Sequence, residues 1–516
     1  SSAASDVYKR QTKLIYFTYN ILHIICNNNT GDYMTLSKDI EENYKHFKND
    51  FVDCSDFLVR KAKIGDKKLF FAACDGLIDS LQLSQMVVSP ILKSEDISID
   101  NIKNSITNCV ELNEAKTFAD CYYYIMSGFA IVVVDGENIA LAFGIQNPPS
   151  RSVDEPTNEE STKAPKEAFV EILNTNKALL RKRLKTPHLK LKQIKLASAA
   201  PAPCVIAYMD DRADKELVTQ IISAVQNSKL NVLTDFGTLI PFVDTSVNSM
   251  FSDVASTERP DIIVSKLIEG RVAILVEGSP IALYTPALFS DNFQTPDDYN
   301  IPPFYSGFIR TLRYFSFVLS IFLPGVYVAI GTFHQELIPT SMLFTIAREE
   351  ITTPYSLMTE ALMLLILYEI MREAGLRLPK AVGHAVSIIG GIVIGETTVS
   401  AGLIGAPMLV VIALTAISSY VVSSLYESVS VLRFFFILIG GLTGMYGIIL
   451  AASVLCMNIC AINPYGVPYC SPISPFDKKA LADLFYRQSW RKLSKRKVRI
   501  NNLRGANVDV RLGKKK

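Results

Sequence analysis

Between residues 381 and 476 only three side chains carry a formal charge: Glu396, Glu427 and Arg433. A helix or sheet in water needs a polar face, so a block this long without charge cannot fold as an ordinary water-exposed domain. From 314 to 475 the count rises only to thirteen. Five apolar stretches fall there, at 315–333, 356–371, 382–403, 407–425 and 431–457. Each approaches the ~20 residues a helix needs to cross hydrocarbon, except the second, which is shorter and carries Glu360 and Glu369. Pro324 and Gly325 predict a kink within the first. Most other charge lies in residues 1–313 and near the end of the chain, so the net charge of +2 sums two polar regions around an uncharged one. The sequence therefore divides into a soluble part and an integral membrane part.

The soluble part mixes helices and strands. A polar helix is predicted over 36–48, and "FLVRKAKI" and "KKLFFAAC" read as strands between Gly-Asp and Asp-Gly turns. "FAIVVVDGENIALAFG" (129–144) is an apolar run, an acidic-Gly turn and a second apolar run, which is a hairpin signal because Gly tolerates the positive φ of a tight turn. "RVAILVEGSPIALYTP" (271–286) repeats that design, so two related α/β subdomains are expected. Residues 146–165, rich in Pro, Ser and Glu, read as the linker between them. A helix is predicted over 166–184, with Phe169, Ile172, Leu173, Leu180 and Leu184 on one stripe. Its basic cluster, Arg181, Lys182, Arg183 and Lys185, reads as a solvated helix end rather than a nucleic-acid surface.

The expected organisation is a non-native or disordered leader over 1–33 and α/β subdomains at 34–145 and 166–305. A membrane domain of four to six helices at 306–475 and a basic tail at 476–516 follow. The fold class is thus an α/β cytosolic region followed by an all-α polytopic membrane domain. The nine cysteines are odd in number and lack metal-ligand spacing, which predicts reduced thiols. No phosphate-binding, zinc-protease or nucleophile-elbow motif occurs, and the five histidines are scattered. The chain is expected not to be an enzyme and to use no cofactor or metal.

The segment 478–516 holds fourteen Lys and Arg against two Asp, which places it on the cytoplasmic side. A polar N-terminal part without a signal peptide is expected on the same side, so the number of crossings should be even. With five apolar stretches, one must be interfacial or re-entrant, or the long last one must be a hairpin. The short second stretch is the first candidate for not crossing, and the third, with "GGIVIG", is the next.

Several long motifs now carry a family likeness: "TERPD" (257–261), "DNFQTPDDY" (291–299), "IRTLRYFSFVLSIFLPGVYVAIGTFHQELIPTSML" (309–343), "REAGLRLP" (372–379) and "NPYGVPYCSP" (463–472). In this order they resemble the A subunit of GerA-type spore germination receptors, from about 34 to 475. One departure is "APKEAF" (164–169), where the family typically reads "GPREGF". The resemblance implies a subunit in the inner spore membrane that acts with a transporter-like B subunit and a lipoprotein C subunit. It also implies assembly as a homo-oligomeric, cation-conducting ring in membrane lipid.

A carboxylate at bilayer depth costs at least ~2.5 kcal/mol, so Glu396 should face protein or water. On a helix it shares a face with Ser400, with Thr397 beside it. This polar strip either lines an ion pathway or subunit interface, or holds a neutral Glu396 bonded to a neighbouring helix. Glu360 and Glu369 are weaker pathway candidates on opposite helix faces, and Glu369 has Arg372 at i+3 as a partner. Glu427 and Arg433 are expected to mark a membrane boundary. The glycines of "GGIVIG" and "GGLTG" suit close helix packing. A nutrient-gated channel subunit is the leading functional expectation; a secondary transporter and a non-conducting scaffold are the alternatives.

Overall fold

The computed structural model describes residues 34–94, 97–106, 109–147, 156, 159, 161–196, 199–246, 249–379, 395–476, 480–485, 487, 489, 500 and 503. The expected leader, most of the linker, much of the third apolar stretch and most of the basic tail lie outside them. The described residues fall into two compact units, one up to 244 with 254–286 and the last residues, the other 245–253 with 287–489.

In the first unit, β1 (Phe57–Ile64) pairs with β2 (Lys67–Cys74), and β4 (Phe129–Val134) with β5 (Ala140–Gly144), across the turns the sequence marks. With β3 (Leu112–Ala115) they form an antiparallel sheet of order β1-β2-β4-β5-β3. β4 and β5, and β2 from Leu69 onward, are apolar because both faces are covered. Phe70, Ala72, Ile131 and Val133 pack on α1 (Ile40–Asp50) and α2 (Phe118–Ile125), whereas Leu69, Phe71, Val132 and Phe143 face a second core around Val87, Ile91 and Ile102. Period-two alternation thus feeds two cores from one run.

The second sheet has the same plan. β6 (Leu189–Leu196), β7 (Ala202–Met209), β8 (Ala255–Thr257), β9 (Val272–Val276) and β10 (Ala282–Thr285) run in the order β6-β7-β9-β10-β8. The repeat extends to single hydrogen bonds. The Asn43 side chain bonds both backbone groups of Ser37, and Asn176, at the equivalent point of α3 (Leu173–Arg183), does the same with Val170. Leu36 N–H donates to the Lys116 carbonyl as Phe169 N–H does to that of Glu258. Gly136 and Gly278 in the hairpin turns donate to the carbonyls of Lys38 and Glu171, at φ of 87° and 81°. These residues sit at matching positions of two related subdomains.

Two expectations need correction here. The helix predicted from 166 begins at Leu173, because Asn176 ties down Val170 in an extended segment and Ile172 is exposed. Within the basic cluster Lys185 is exposed as expected, but Arg181 is not a solvated helix end. Arg181 is fully buried and forms a two-pronged pair with Asp56 of the first subdomain, at 2.9 and 3.0 Å, and donates to the carbonyls of Thr186 and Leu189. Lys182 and Arg183 both pair with Glu167, and Lys185 reaches Ser127. Arg181 and Lys185 thus join the subdomains.

Burial alone would raise the Asp56 carboxyl, but the Arg181 charge and its hydrogen bonds hold it below the ordinary carboxylate value. Burial pushes the Cys204 thiol up to about 12 and the Cys74 thiol well up, so these sulfurs are unreactive packing groups. Removing one partner of a buried pair costs about 3–5 kcal/mol. Arg181→Met should therefore lower the unfolding free energy of the full chain by about that amount, with Asp56→Leu added recovering much of the loss. Because the folded carboxyl titrates low, the pair's contribution is present above pH ~4 and is lost as pH falls through the folded value. Denaturant titration of the single and double variants across pH checks both expectations.

The second unit is helical. Its longer described helices are α6 (Pro303–Phe333), α7 (Thr340–Thr352), α8 (Leu357–Arg377), α9 (Ala406–Val421) and α10 (Tyr426–Ala461), with a further helical segment at 395–400; α4 (Lys215–Gln226) and α5 (Pro260–Ile268) belong to the first unit. By length and composition α6 and the segment Ser423–Ala461 can each cross a membrane, and α7 with α8, bent by 75°, would make a third span. α6 continues as helix through Pro324.

α10 folds back on itself. Gly444 has φ 66° and ψ −156°, a conformation open essentially to glycine alone. Ser428 hydroxyl donates to the Met250 carbonyl, while Ser249 hydroxyl lies 2.9 Å from Asn458 Oδ1. Positions 428 and 458 would be ~45 Å apart on a straight helix, so their meeting with adjacent residues defines two antiparallel arms. Each arm is ~26 Å long, near the hydrocarbon thickness of ~30 Å. The last apolar stretch is thus a helical hairpin. A Cβ on Gly440 would stand 2.4 Å from the Gly325 carbonyl oxygen, and one on Gly325 2.6 Å from that of Phe436. The glycines of "GGLTG" therefore serve close helix packing.

A buried ionic knot fixes the start of α6. Asp298, fully buried, accepts from Arg310 at 2.9 Å and Arg313 at 2.8 Å, and Arg310 also binds Asp483 at 2.9 Å. Arg487 donates to the carbonyls of Asp298 and Ile301, and Tyr299 hydroxyl to Asp483. Burial raises the Asp298 carboxyl, and the two guanidinium groups more than offset it, holding the carboxyl low. The "DNFQTPDDY" motif thus anchors the first long apolar helix.

Candidate functional site

The acidic side chains of the helical unit divide by environment. Glu396, Thr397 and Ser400 lie on a helical segment described over 395–400, and all three are exposed on the chain. That helix ends with Leu403 N–H bonded to the Thr398 carbonyl and Gly402 N–H to that of Val399, with Gly402 at φ 66°. This is a Schellman termination that only a residue tolerant of positive φ completes. Nothing within the described residues brings Glu396 onto Glu360 or Glu369.

Glu360 and Glu369 both face inward. Glu360, at 1% exposure, accepts the Gly405 backbone N–H at 3.2 Å, the N-cap position of α9. A carboxylate there satisfies a donor and meets the positive end of the helix dipole. Glu369 accepts from Tyr426 hydroxyl at 2.9 Å, Ser430 at 3.1 Å and Arg372 at 3.2 Å, and the Arg372 guanidinium stacks 3.6 Å from the Tyr426 ring centroid. The pairing of Glu369 with Arg372 follows from their i,i+3 spacing.

Arg433 differs from expectation. It is fully buried within the protein, donates through Nε to the Ser320 carbonyl at 2.9 Å and lies 3.9 Å from Glu369. Its place between two apolar stretches suggested a membrane boundary, but a partner 64 positions away in sequence is invisible to a local pattern. Glu427 is exposed. Sequence reasoning also passed over Glu350, whose Oε1 is buried without a hydrogen-bond partner; its place in a charged "REE" triplet disguised it as a solvated end.

A duplicated antiparallel α/β region, followed by apolar helices that enclose charged side chains, defines a membrane protein with a folded domain ahead of its helices. Residues 45–499 match the profile of the Bacillus/Clostridium GerA spore germination protein, and the chain belongs to that family. Spore germination protein KA of Bacillus subtilis (strain 168) is 32% identical over 469 residues, covering 88% of this chain and 85% of that protein. The uncharacterized membrane protein YfkQ of the same strain is 31% identical over 467 residues, covering 89% and 91%. The crystal structure of the N-terminal domain of the A subunit of the Bacillus megaterium spore germinant receptor GerK3 shares 25% identity, covers 50% of this chain and 99% of that one, and gives a TM-score of 0.37. The family match and the spore germination relatives confirm the resemblance to GerA-type A subunits read from the motifs.

Glu369 is the main negative neighbour of the buried Arg433. Glu369→Leu should lower the melting temperature of the detergent-solubilised chain by more than Arg433→Met does, and combining the two should recover most of the loss. Thermal unfolding of the two single variants and the double variant measures this.

Proposed function

We propose that this chain is the A subunit of a nutrient germinant receptor in the inner spore membrane. In this reading several copies close into a ring that conducts cations when germinant is sensed, with a transporter-like B subunit and a lipoprotein C subunit as partners. Its N- and C-terminal regions face the cytoplasm, and it performs no catalysis.

One observation carries the conducting part of the proposal. Glu360 and Glu369 are engaged inside the chain, whereas Glu396, Thr397 and Ser400 present polar groups on its outside, within a region otherwise almost free of charge. Such a face cannot rest against acyl chains without a cost of several kcal/mol. A neighbouring copy, or water between copies, relieves it, and a closed ring supplies both. Gating is then a two-state shift of the ring biased by ligand on its partner.

Reconstitution with its partners in potassium-loaded liposomes tests this. Germinant-dependent flux is expected, falling to the protein-free leak in Glu396→Ala and persisting in Glu427→Ala. Flux coupled to a solute at a fixed ratio would mark a transporter instead, and absence of flux a scaffold.

A further inference from the structure

Four helix ends meet where α7 bends into α8 and the 395–400 helix gives way to α9. A Cβ on Gly402 would stand 3.5 Å from the Thr352 carbonyl oxygen at the end of α7. One on Gly405 would stand 3.7 Å from Glu360 Oε2 and 3.9 Å from Glu349 Cβ. One on Gly331 of α6 would stand 2.4 Å from Leu357 Cδ1 and 3.8 Å from Glu350 Oε1. The absence of side chains at these glycines lets the acids of α7 and α8 close on one place.

Two observations separate this place from an ordinary acidic cluster. Glu360 is 1% exposed and only its Oε2 has a partner; Oε1 is buried and has none among the described residues. Glu350 Oε1, from the other side of the bend, is likewise buried and unpaired. Neither carboxylate forms an ion pair within the described residues, although Glu369, Glu373 and Asp298 all do. The two lie within electrostatic reach of one another and of Tyr327 on α6. Glu349 is the other acid facing the site, α9 contributes a backbone N–H, and no described Lys or Arg pairs with it.

Two like charges held together without a counter-ion are unfavourable, and each unsatisfied oxygen adds a desolvation cost. A single positive charge between them removes both penalties. The C-terminal ends of α7 and of the helix that stops at 400 favour a cation by their dipoles, while the N-terminal ends of α8 and α9 favour the Glu360 carboxylate that would hold it. We infer that Glu350 and Glu360 form a monovalent-cation site inside each copy of the chain, holding either one shared proton or one alkali-metal ion. The site needs no ring and no flux, so it stands apart from the proposed conduction.

Labelling with dicyclohexylcarbodiimide tests it, because that reagent modifies a carboxyl in its protonated form in an apolar setting. The full chain in liposomes is treated from pH 6 to 9 in sodium, potassium or choline salts, and modification of Glu360 is read by peptide mass spectrometry. Suppression by sodium or potassium relative to choline, lost in Glu350→Gln, identifies an alkali ion. Labelling that falls as pH rises, alike in all salts and displaced to lower pH in Glu350→Gln, identifies a shared proton. The wild-type salt and pH series needs no variant to fold. Glu360 labelling that is indifferent to pH and to salt in the wild type, or absent throughout, overturns the site.

Discussion

An ionised side chain withdrawn from water has to be neutralised by what surrounds it, and the helical unit is organised by that requirement. Asp298 gathers Arg310 and Arg313 at the start of α6, and Asp483 and Arg487 close the same knot from the far end of the sequence. Deeper in, Arg433 is held by the Ser320 carbonyl and Glu369, which is itself bonded by Tyr426, Ser430 and Arg372. Arg433 and Glu369 are fixed by groups from other helices, so their contacts set which helices can be neighbours. Apolar packing alone is too uniform in lipid to do so. Glycine then sets how near they come, as Gly325 and Gly440 show.

The first unit meets the same requirement differently. Its two sheets repeat one plan down to the asparagine clasps of Asn43 and Asn176, yet the subdomains are not interchangeable. Asp56 precedes the first strand of one, and Arg181 ends the first helix of the other. The pair is a cross-subdomain contact that duplication alone does not create. Burying it ties the orientation of the repeats to one arrangement, since a shifted arrangement would leave a charge unpaired in a dry interior.

Much of this was legible in the residues, and the rest was hidden for identifiable reasons. The hairpins at 129–144 and 271–286 declared themselves because an acidic-Gly turn between apolar runs has few other solutions, and the strands at 57–64 and 67–74 fell where alternation placed them. The start of α3 was misplaced because its apolar stripe extends back through Phe169, while the side-chain clasp that stops the helix is a contact, not a pattern. The fold of α10 at Gly444 could be inferred only as one way to satisfy parity, since hydropathy cannot separate one long helix from two short ones. Arg181 looked like a helix-end charge and Arg433 like a membrane-boundary one because their partners are remote in sequence. Of the acids, Glu396 was conspicuous by isolation; Glu350 was lost among charged neighbours.

The central claim is that the polar face of the 395–400 helix meets water between copies of the chain and not lipid. Single cysteines at Thr397 and Ser400, in a background lacking the exposed Cys456 and Cys460, report on this directly when the assembled receptor in liposomes is treated with a charged, membrane-impermeant thiol reagent. The account predicts rapid modification at both positions that quickens when germinant is added. Cysteines that stay unmodified in water while reacting with a lipid-soluble maleimide would place that face against acyl chains and contradict it.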